Sequence, residues 1–400
     1  MSDDANTGKA LRRLTAAALT IPGMISELAA LAPASEASLD YKFSAYREAD
    51  MAAEDVAGGT TSRYDIDSHL LRYVAPLGER VDLAVDLSYE TMSGASPWFV
   101  MPGNNGPIQV MSGASIREQR KDVQVTVSRY FSSRTVASVV GGYSDENDYR
   151  AANVGLSVDH DLPGQQTTLS GGIAYSDDAL SPTDGKSMAD RIDSADKTSA
   201  NVFGSVTQLV NEHTALQLGL SYALHDGYLS DPYKKYWVVD QSNALPDARP
   251  DRREAFTAEA KLRYFAVPAN AALHLDYRYF DDDWQLASHT IDVAWYQNLP
   301  GGWQLVPSLR YYSQSQAFFY APYFFTGRDD GYGSSDYRLS PYGAVSYRLA
   351  LSKSWHELTL SLDWESYRAS AKYALEDVQV ENPALVDFDM LTLGMRWRWQ

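Results

Sequence analysis

The 400-residue chain has no cysteine, which excludes disulfides, thiolate metal sites, iron–sulfur clusters, covalently attached haem and cysteine nucleophiles together. Cations are also scarce: 34 Lys and Arg against 52 Asp and Glu leave a formal net charge of −18. A nucleic-acid binder needs a basic footprint, and none is present. Beyond the N-terminal region, no stretch approaches the roughly 20 uncharged apolar residues that a spanning helix needs. The histidines (His69, His160, His213, His225, His274, His289 and His356) are scattered, and neither G-x-S-x-G nor HExxH occurs. His274 and Asp276 share a strand face but have no serine elbow beside them. These absences speak against an enzyme.

Tyrosine is abundant, with 27 Tyr against 12 Phe and 9 Trp. Amphipathic rings in this proportion suit sheet surfaces and membrane interfaces. The start, KALRRLTAAALTIPGMISELAALAPASEASL, carries Lys9, Arg12 and Arg13, then an apolar run from Leu14 to Ile25. Small residues follow, with Ser35 and Ala37 flanking Glu36. This layout predicts a secretory signal over 1–37, cleaved after Ala37, and a mature domain over 38–400. Pro22 and Glu27 depart from the pattern, and an amphipathic N-terminal helix is the alternative.

From residue 38 onward the chain alternates at period two. RVDLAVDLSYE (80–90) sets Val81, Leu83, Val85, Leu87 and Tyr89 against Asp82, Asp86 and Glu90. ALHLDYRYF (272–280) and ELTLSLDWE (357–365) do the same. Segments 134–143 and 198–210 alternate poorly and are assigned as strands by spacing alone. Seven tight turns recur at PLGE (76–79), SSR (132–134), LPGQ (162–165), NEH (211–213), PAN (268–270), PGG (300–302) and SKS (352–354). Eight mostly longer, polar connections interleave with them, near 50–62, 91–116, 144–149, 177–197, 227–253, 281–285, 316–336 and 368–387. The count predicts an all-β transmembrane antiparallel up-and-down barrel of about 16 strands, with 14–18 as the range. Closure pairs every N–H and C=O within the sheet, as lipid demands. A soluble sandwich or propeller would not need the signal, the loop asymmetry and an aromatic final strand together. The expected location is the bacterial outer membrane.

The last strand, LTLGMRWRWQ, puts Leu391, Leu393, Met395, Trp397 and Trp399 on one face, toward lipid. Thr392, Gly394, Trp397 and Trp399 resemble the C-terminal signal read by barrel-assembly machinery, although Gln400 follows the last aromatic. The inward positions are charged: Asp82, Asp86, Glu90, Glu118, Arg120, Asp122, Glu259, Lys261, Arg263, Asp276, Arg278, Asp363, Glu365, Arg396 and Arg398. A sixteen-stranded lumen is wide enough to be aqueous, and opposed charges would orient a passing solute. Each single charge is more readily explained by neutralisation from a neighbouring strand, as Asp363 and Glu365 would neutralise Arg396 and Arg398; collectively they imply a wet or polar interior. Acidic clusters at 144–149, 176–178, 280–283 and 327–336 lack the calcium-loop spacing, so they read as solvated loops rather than Ca²⁺ sites shared with lipopolysaccharide phosphates.

Two loops look specified rather than merely polar. ETMSGASPWFVMPGNNGP (90–107) combines small residues and prolines with Trp98 and Phe99. HDGYLSDPYKKYW (225–237), followed by ARPDRRE (248–254), mixes aromatics and cations around prolines. Long loops of this kind serve as plugs, constrictions or binding surfaces, or simply as an ordered cap. Within them, Ser93, Gly94, Ala95, Ser96 and Pro97 (SGASP), Gly227, Tyr228, Asp231, Pro232 and Tyr233 (from GYLSDPYK), and Arg249, Pro250, Asp251 and Arg253 (from RPDRRE) carry a resemblance. The chain resembles domain-of-unknown-function family 3570, exported bacterial proteins read as outer-membrane barrels, over roughly 39–400. The family has no established activity. Its genes often lie near those of a flavin transferase, a thioredoxin-like protein and a very small lipoprotein. That resemblance implies a link to redox work outside the cytoplasm. The expected function is a channel, or a sleeve for a small exported partner, in such electron transfer, with a generic porin-like diffusion channel for small polar solutes as the alternative. The chain itself shows no haem motif and no flavin attachment site, so any flavin or metal would be carried by a partner.

Overall fold

The computed structural model describes residues 33–34, 36–112, 116–164, 166–183 and 190–399; the signal expected over 1–37 lies almost wholly outside them. Sixteen strands form a closed barrel. In chain order they are β1 (Ala37–Glu48), β2 (Asp65–Pro76), β3 (Val81–Gly94), β4 (Ile116–Ser132), β5 (Thr135–Glu146), β6 (Tyr149–Asp161), β7 (Thr167–Leu180) and β8 (Ala195–Asn211). They continue with β9 (Thr214–Gly227), β10 (Arg252–Ala266), β11 (Ala271–Asp282), β12 (Ala287–Leu299), β13 (Trp303–Gln314), β14 (Tyr342–Trp355), β15 (Leu358–Ser370) and β16 (Phe388–Trp399). Each pairs antiparallel with its sequence neighbours, and β1 pairs with β16 to close the ring. The weakly patterned segments are β5 and β8, which the ladder holds regardless of their side-chain period.

At the seam Ser44 lies opposite Thr392, and their hydroxyls meet at 2.8 Å on the inner face. Outward from the same strand, Leu391, Leu393, Met395 and Trp397 are exposed, as are Val123, Val125 and Val127 of β4 and Leu218 and Leu220 of β9. Burying such a belt yields about 25 cal/mol per Å², and only lipid can cover it around the whole circumference. No helix among the described residues is long and apolar enough to cross a membrane; the crossing is made by strands.

The ends differ. Seven short turns and both barrel termini lie at one end, the turn end. The last turn falls at His356–Glu357 rather than at SKS (352–354), which stays in β14. His356 takes a φ of +42° there, a turn conformation that its composition does not advertise. At the other end, the loop end, the 144–149 connection shrinks to Asn147–Asp148 because β5 and β6 run on past their apolar pattern. The remaining loops fold. Val56–Gly58, Pro97–Pro102 and Pro107–Met111 form a three-stranded sheet, and Lys235–Val238 pairs with Asn243–Pro246. The apolar clusters lie here, around Trp284, Phe319 and Leu339, around Tyr46, Phe388 and Met390, and around Met51, Ala95 and Met111.

Candidate functional site: a closed mouth over a charged lumen

The inner wall below the loops carries charge in cross-strand pairs. Arg72 of β2 donates from one nitrogen to both oxygens of Asp86 of β3, at 3.0 and 3.1 Å. Arg263 forks onto Asp276, Arg348 Nε donates to Asp363 at 2.7 Å, and within one strand Lys261 lies 3.3 Å from Glu259. Tyr130 donates its hydroxyl proton to Asp82 at 3.0 Å, and Ser68 donates to Glu90 at 3.1 Å. Arg120 donates to Ser144 at 3.0 Å and lies 3.5 Å from Glu146. Arg278 stands opposite Glu259 in register. By strand alternation the expected lumen charges lie on the face opposite the exposed apolar belt; Arg398, near the end of the last strand, is exposed.

One expected pairing is corrected. Arg396 pairs with Asp40 of β1, not with Asp363 or Glu365. The β15–β16 register sets Thr392 opposite Asp363 and Arg396 opposite Thr359, two side-chain levels nearer the turn end. Asp363 therefore takes Arg348, and Glu365 accepts from Ser346. Asp40, Arg72 and Arg348 are not among the expected lumen charges; the strands of Asp40 and Arg348 alternate, whereas HLLRYVAP around Arg72 does not.

The loop end is different in kind. The side chains of Arg72 and Asp86 are 42% and 28% exposed to water in the lumen, whereas those of Arg63 and Glu48, 2.6 Å apart at the mouth, are 1% and 3% exposed. Val100, Phe319, Ser334 and Ser340 are wholly buried. Four loops meet there on one short segment, Ser334–Ser340. From the 228–251 loop, Arg249 reaches Asp336 at 2.8 Å and Asp247 at 2.6 Å. Arg338 binds Asp231 at 2.5 Å and Asp336 at 2.8 Å. Ser335 donates to the Lys235 carbonyl at 2.9 Å and accepts from the Val100 N–H at 3.3 Å. From the last loop, Asn382 donates to the Ser335 carbonyl at 3.1 Å and to the Tyr320 hydroxyl at 3.0 Å. Gln314 of β13 ties the segment to the wall through the Arg338 and Ser340 carbonyls, at 3.0 and 2.6 Å.

Lys234 donates to the Pro97 carbonyl at 2.5 Å, so it tethers the 95–112 loop to the same assembly. Lys234 and Arg63 each lie 5.6 Å from the centre of the Tyr337 ring. Burial pushes the Lys234 ammonium down to about 8, against the pull of Asp336 and Asp231. Burial opposes the charge on Asp336, yet Arg338, Lys234 and Arg249 outweigh it and hold that carboxyl far below the usual range. Burial lifts Asp247, with Arg249 opposing. Three carboxylates and three cations thus balance inside a dry plug.

The specified loops enter this plug. Ala95 packs on Met51 and Met111, and the Pro97 carbonyl receives Lys234. A Cβ on Gly94 would sit 2.2 Å from the Arg63 carbonyl oxygen, so Ser93 and Gly94 press directly against the first loop. The Ser96 N–H donates to Ser112 at 2.9 Å. Gly227 takes a φ of +110° and donates to the Asp251 carbonyl at 2.8 Å, beside Pro250; Tyr228 donates to the Asp196 carbonyl at 3.0 Å. The Pro232 carbonyl accepts from Arg191 at 2.9 Å, and Tyr233 donates its hydroxyl proton to Asp148. Arg253 holds Asp282 through Nε at 2.6 Å.

The acidic clusters divide. Asp178, Asp282 and Asp336 are buried and paired with Lys197, Arg253 and the two arginines, not solvated as expected. Strands β7 and β11 extend through the first two, turning them inward beneath the loops, and Asp336 is carried in by its neighbour Arg338. That DYR pairing was the signal available in sequence, and it was read only as the end of an acidic run. Glu118, Glu146 and Asp148 bring carboxylate oxygens within 4.8 Å of one another near Arg120. At the turn end, Trp397 and Trp399 lie 4.8 Å apart, with Tyr73 stacked at 6.2 Å from Trp399; Gly394 leaves room for the Ser361 hydroxyl beside Thr392.

A family model described as "Protein of unknown function (DUF3570)" matches residues 11–383. No curated protein matches the chain. Among solved structures, a bacterial polysaccharide outer membrane secretin aligns at 11% identity and TM-score 0.47, covering 91% of this chain and 98% of that one. The outer membrane protein opdK from Pseudomonas aeruginosa aligns at 11% identity and TM-score 0.41, covering 92% and 99%. The siderophore receptor PirA from Pseudomonas aeruginosa aligns at 10% identity and TM-score 0.44, covering 89% of this chain and 61% of that receptor.

Proposed function

Since the chain belongs to the DUF3570 family of proteins of unknown function, we propose its role from the barrel itself: a channel of the bacterial outer membrane for small polar solutes, shut at its loop end. The observation that carries this reading is the contrast between wet, charge-paired walls below and a dry, folded plug above. Paired charges around an aqueous lumen orient a solute without binding it tightly. The turn end faces the periplasm in this reading, and lipid and lipopolysaccharide surround the belt after delivery by barrel-assembly machinery. Planar-bilayer recording tests it. Purified protein should give rare, brief current steps, and loosening the plug should make them frequent. Bilayers silent in both states would remove the channel.

The closed mouth favours a second reading, a sleeve. A lumen shut at its loop end could seat, from the turn end, a small lipoprotein, or a flavinylated or thioredoxin-like exported protein bearing a flavin or metal. The support is the closed mouth and the family resemblance. Gentle purification from the native membrane, with an absorption spectrum and mass spectrometry of co-purifying chains, separates the readings. A stoichiometric coloured partner supports the sleeve, and a colourless barrel alone removes it.

A further inference from the structure

Along β10 to β14 almost every inward cation has a carboxylate of its own. Arg253 holds Asp282, Lys261 holds Glu259, Arg263 holds Asp276, Arg310 holds Asp292 and Arg348 holds Asp363. Arg278 of β11 is the exception: among the described residues its guanidinium has no hydrogen-bond or ion-pair partner. Glu259 and Asp292 attract it from further off, but Lys261 and Arg310 already engage them, and Arg310 repels it. The Arg278 Nε is enclosed and unpartnered. So is the hydroxyl of Thr290, which stands opposite it on β12 and is 2% exposed. A water could serve such donors, but it would leave the guanidinium charge uncompensated.

The position suits a solute. Phe280, the next inward residue toward the loop end, packs onto the plug's cluster at Trp284 and Phe319, so Arg278 lies just beneath the plug. One level toward the turn end, Arg310 and Asp292 are 20% and 40% exposed, and water therefore reaches this part of the wall. Halfway round the ring, β3 carries Asp82, Asp86 and Glu90, which turn an anion away from that wall and toward this one. We propose that Arg278 and Arg310, with the Thr290 hydroxyl beside them, form an anion site on the lumen wall beneath the plug, and that its ligand is the carboxylate of a small solute. A guanidinium offers two N–H groups in a planar fork that matches the two carboxylate oxygens. One uncompensated positive charge matches a monoanion, whereas inorganic phosphate, largely a dianion at neutral pH, would bring excess charge against Glu259 and Asp292. This names the solute class and so rests on the channel reading for its purpose, but binding itself needs no conduction.

Saturation-transfer NMR on detergent-folded protein reads the site directly, with acetate as the probe and inorganic phosphate as the competitor. Acetate should bind saturably. Arg278→Gln should weaken it at least about 10-fold, while the barrel still shifts on boiling. Thr290→Val, which removes only a hydroxyl, should weaken it about 3-fold and covers the case in which the first variant misfolds. Lys42→Gln removes another inward cation, two residues from Ser44 on β1, and should change nothing. Acetate that never saturates, that ignores Arg278→Gln and Thr290→Val, or that is weakened as much by Lys42→Gln, would overturn the site. Phosphate displacing acetate at equal concentration would overturn the carboxylate assignment. Acetate binding lost in Arg278→Gln, with bilayers silent throughout, would defeat the channel and leave the site standing. Acetate-carried current without any binding at Arg278 would do the reverse.

Discussion

Lys234 sets the pH response of the closed mouth. Its ammonium, ordinarily near 10.5, is pushed down to about 8 by burial while it donates to Pro97. Between those values an exposed lysine keeps a proton that the buried one has released. Closure therefore gains stability as pH rises from about 8 to 10.5, and sits at its lower level below that window. Asp336 and Asp231 act in the opposite range. Both are held below 3.8 in the closed plug, so their contribution is present at neutral pH and lost only as acid protonates them. The expected result is a heat-modifiability midpoint that climbs from pH 8 to 10 in the unaltered protein relative to Lys234→Met, a change on the order of 3 kcal/mol. Parallel curves for the two proteins would contradict this account of Lys234.

Individual strands show what the sequence could and could not convey. The final strand was readable in full, because Leu391 through Trp399 alternate cleanly and the lipid belt needs that face. Strand β8 was readable only by spacing, since a hydrogen-bonded neighbour on each side fixes it without help from its side chains. The plug was not readable. Asp231, Asp247, Asp336, Arg249 and Arg338 lie as much as 107 residues apart, and each alone looks like loop polarity. Only the three-dimensional meeting, with Lys234 as the third cation, makes them one neutral cluster. Two element-scale outcomes follow from the packing. Replacing Trp397 and Trp399 with Asp places charge in the lipid face near the interface, at a cost of no more than about 1 kcal/mol each, and damages the assembly signal. Outer-membrane levels of that variant should collapse; unchanged levels would count against the assignment. At Gly343, the second residue of β14, an added Cβ would sit 2.0 Å from the Tyr373 carbonyl oxygen. Gly343→Ala should displace the 371–387 loop at a cost of about 1–3 kcal/mol and leave the barrel closed. Proteolysis confined to that loop would show it, and an unaltered digestion pattern would not fit.

As a whole the molecule is a tube with two unlike ends, and this asymmetry follows from loop length. Short turns have too few side chains to bury one another, so they build no cap of their own at the turn end. The long loops supply enough aromatic and paired charged residues to form a core of their own, at the mouth rather than in the wall. Access to the lumen should accordingly be one-sided. The direct measurement is thiol labelling in cells with a maleimide polymer too large for the outer membrane's general pores, using single cysteines in this cysteine-free chain. Phe325, 72% exposed on the plug, is the external marker, and Asp86 is the luminal one. Phe325→Cys should label in intact cells and Asp86→Cys should not, while opening the outer membrane should make Asp86→Cys react. Labelling of Asp86→Cys in intact cells at the rate of Phe325→Cys would contradict a barrel shut at its loop end.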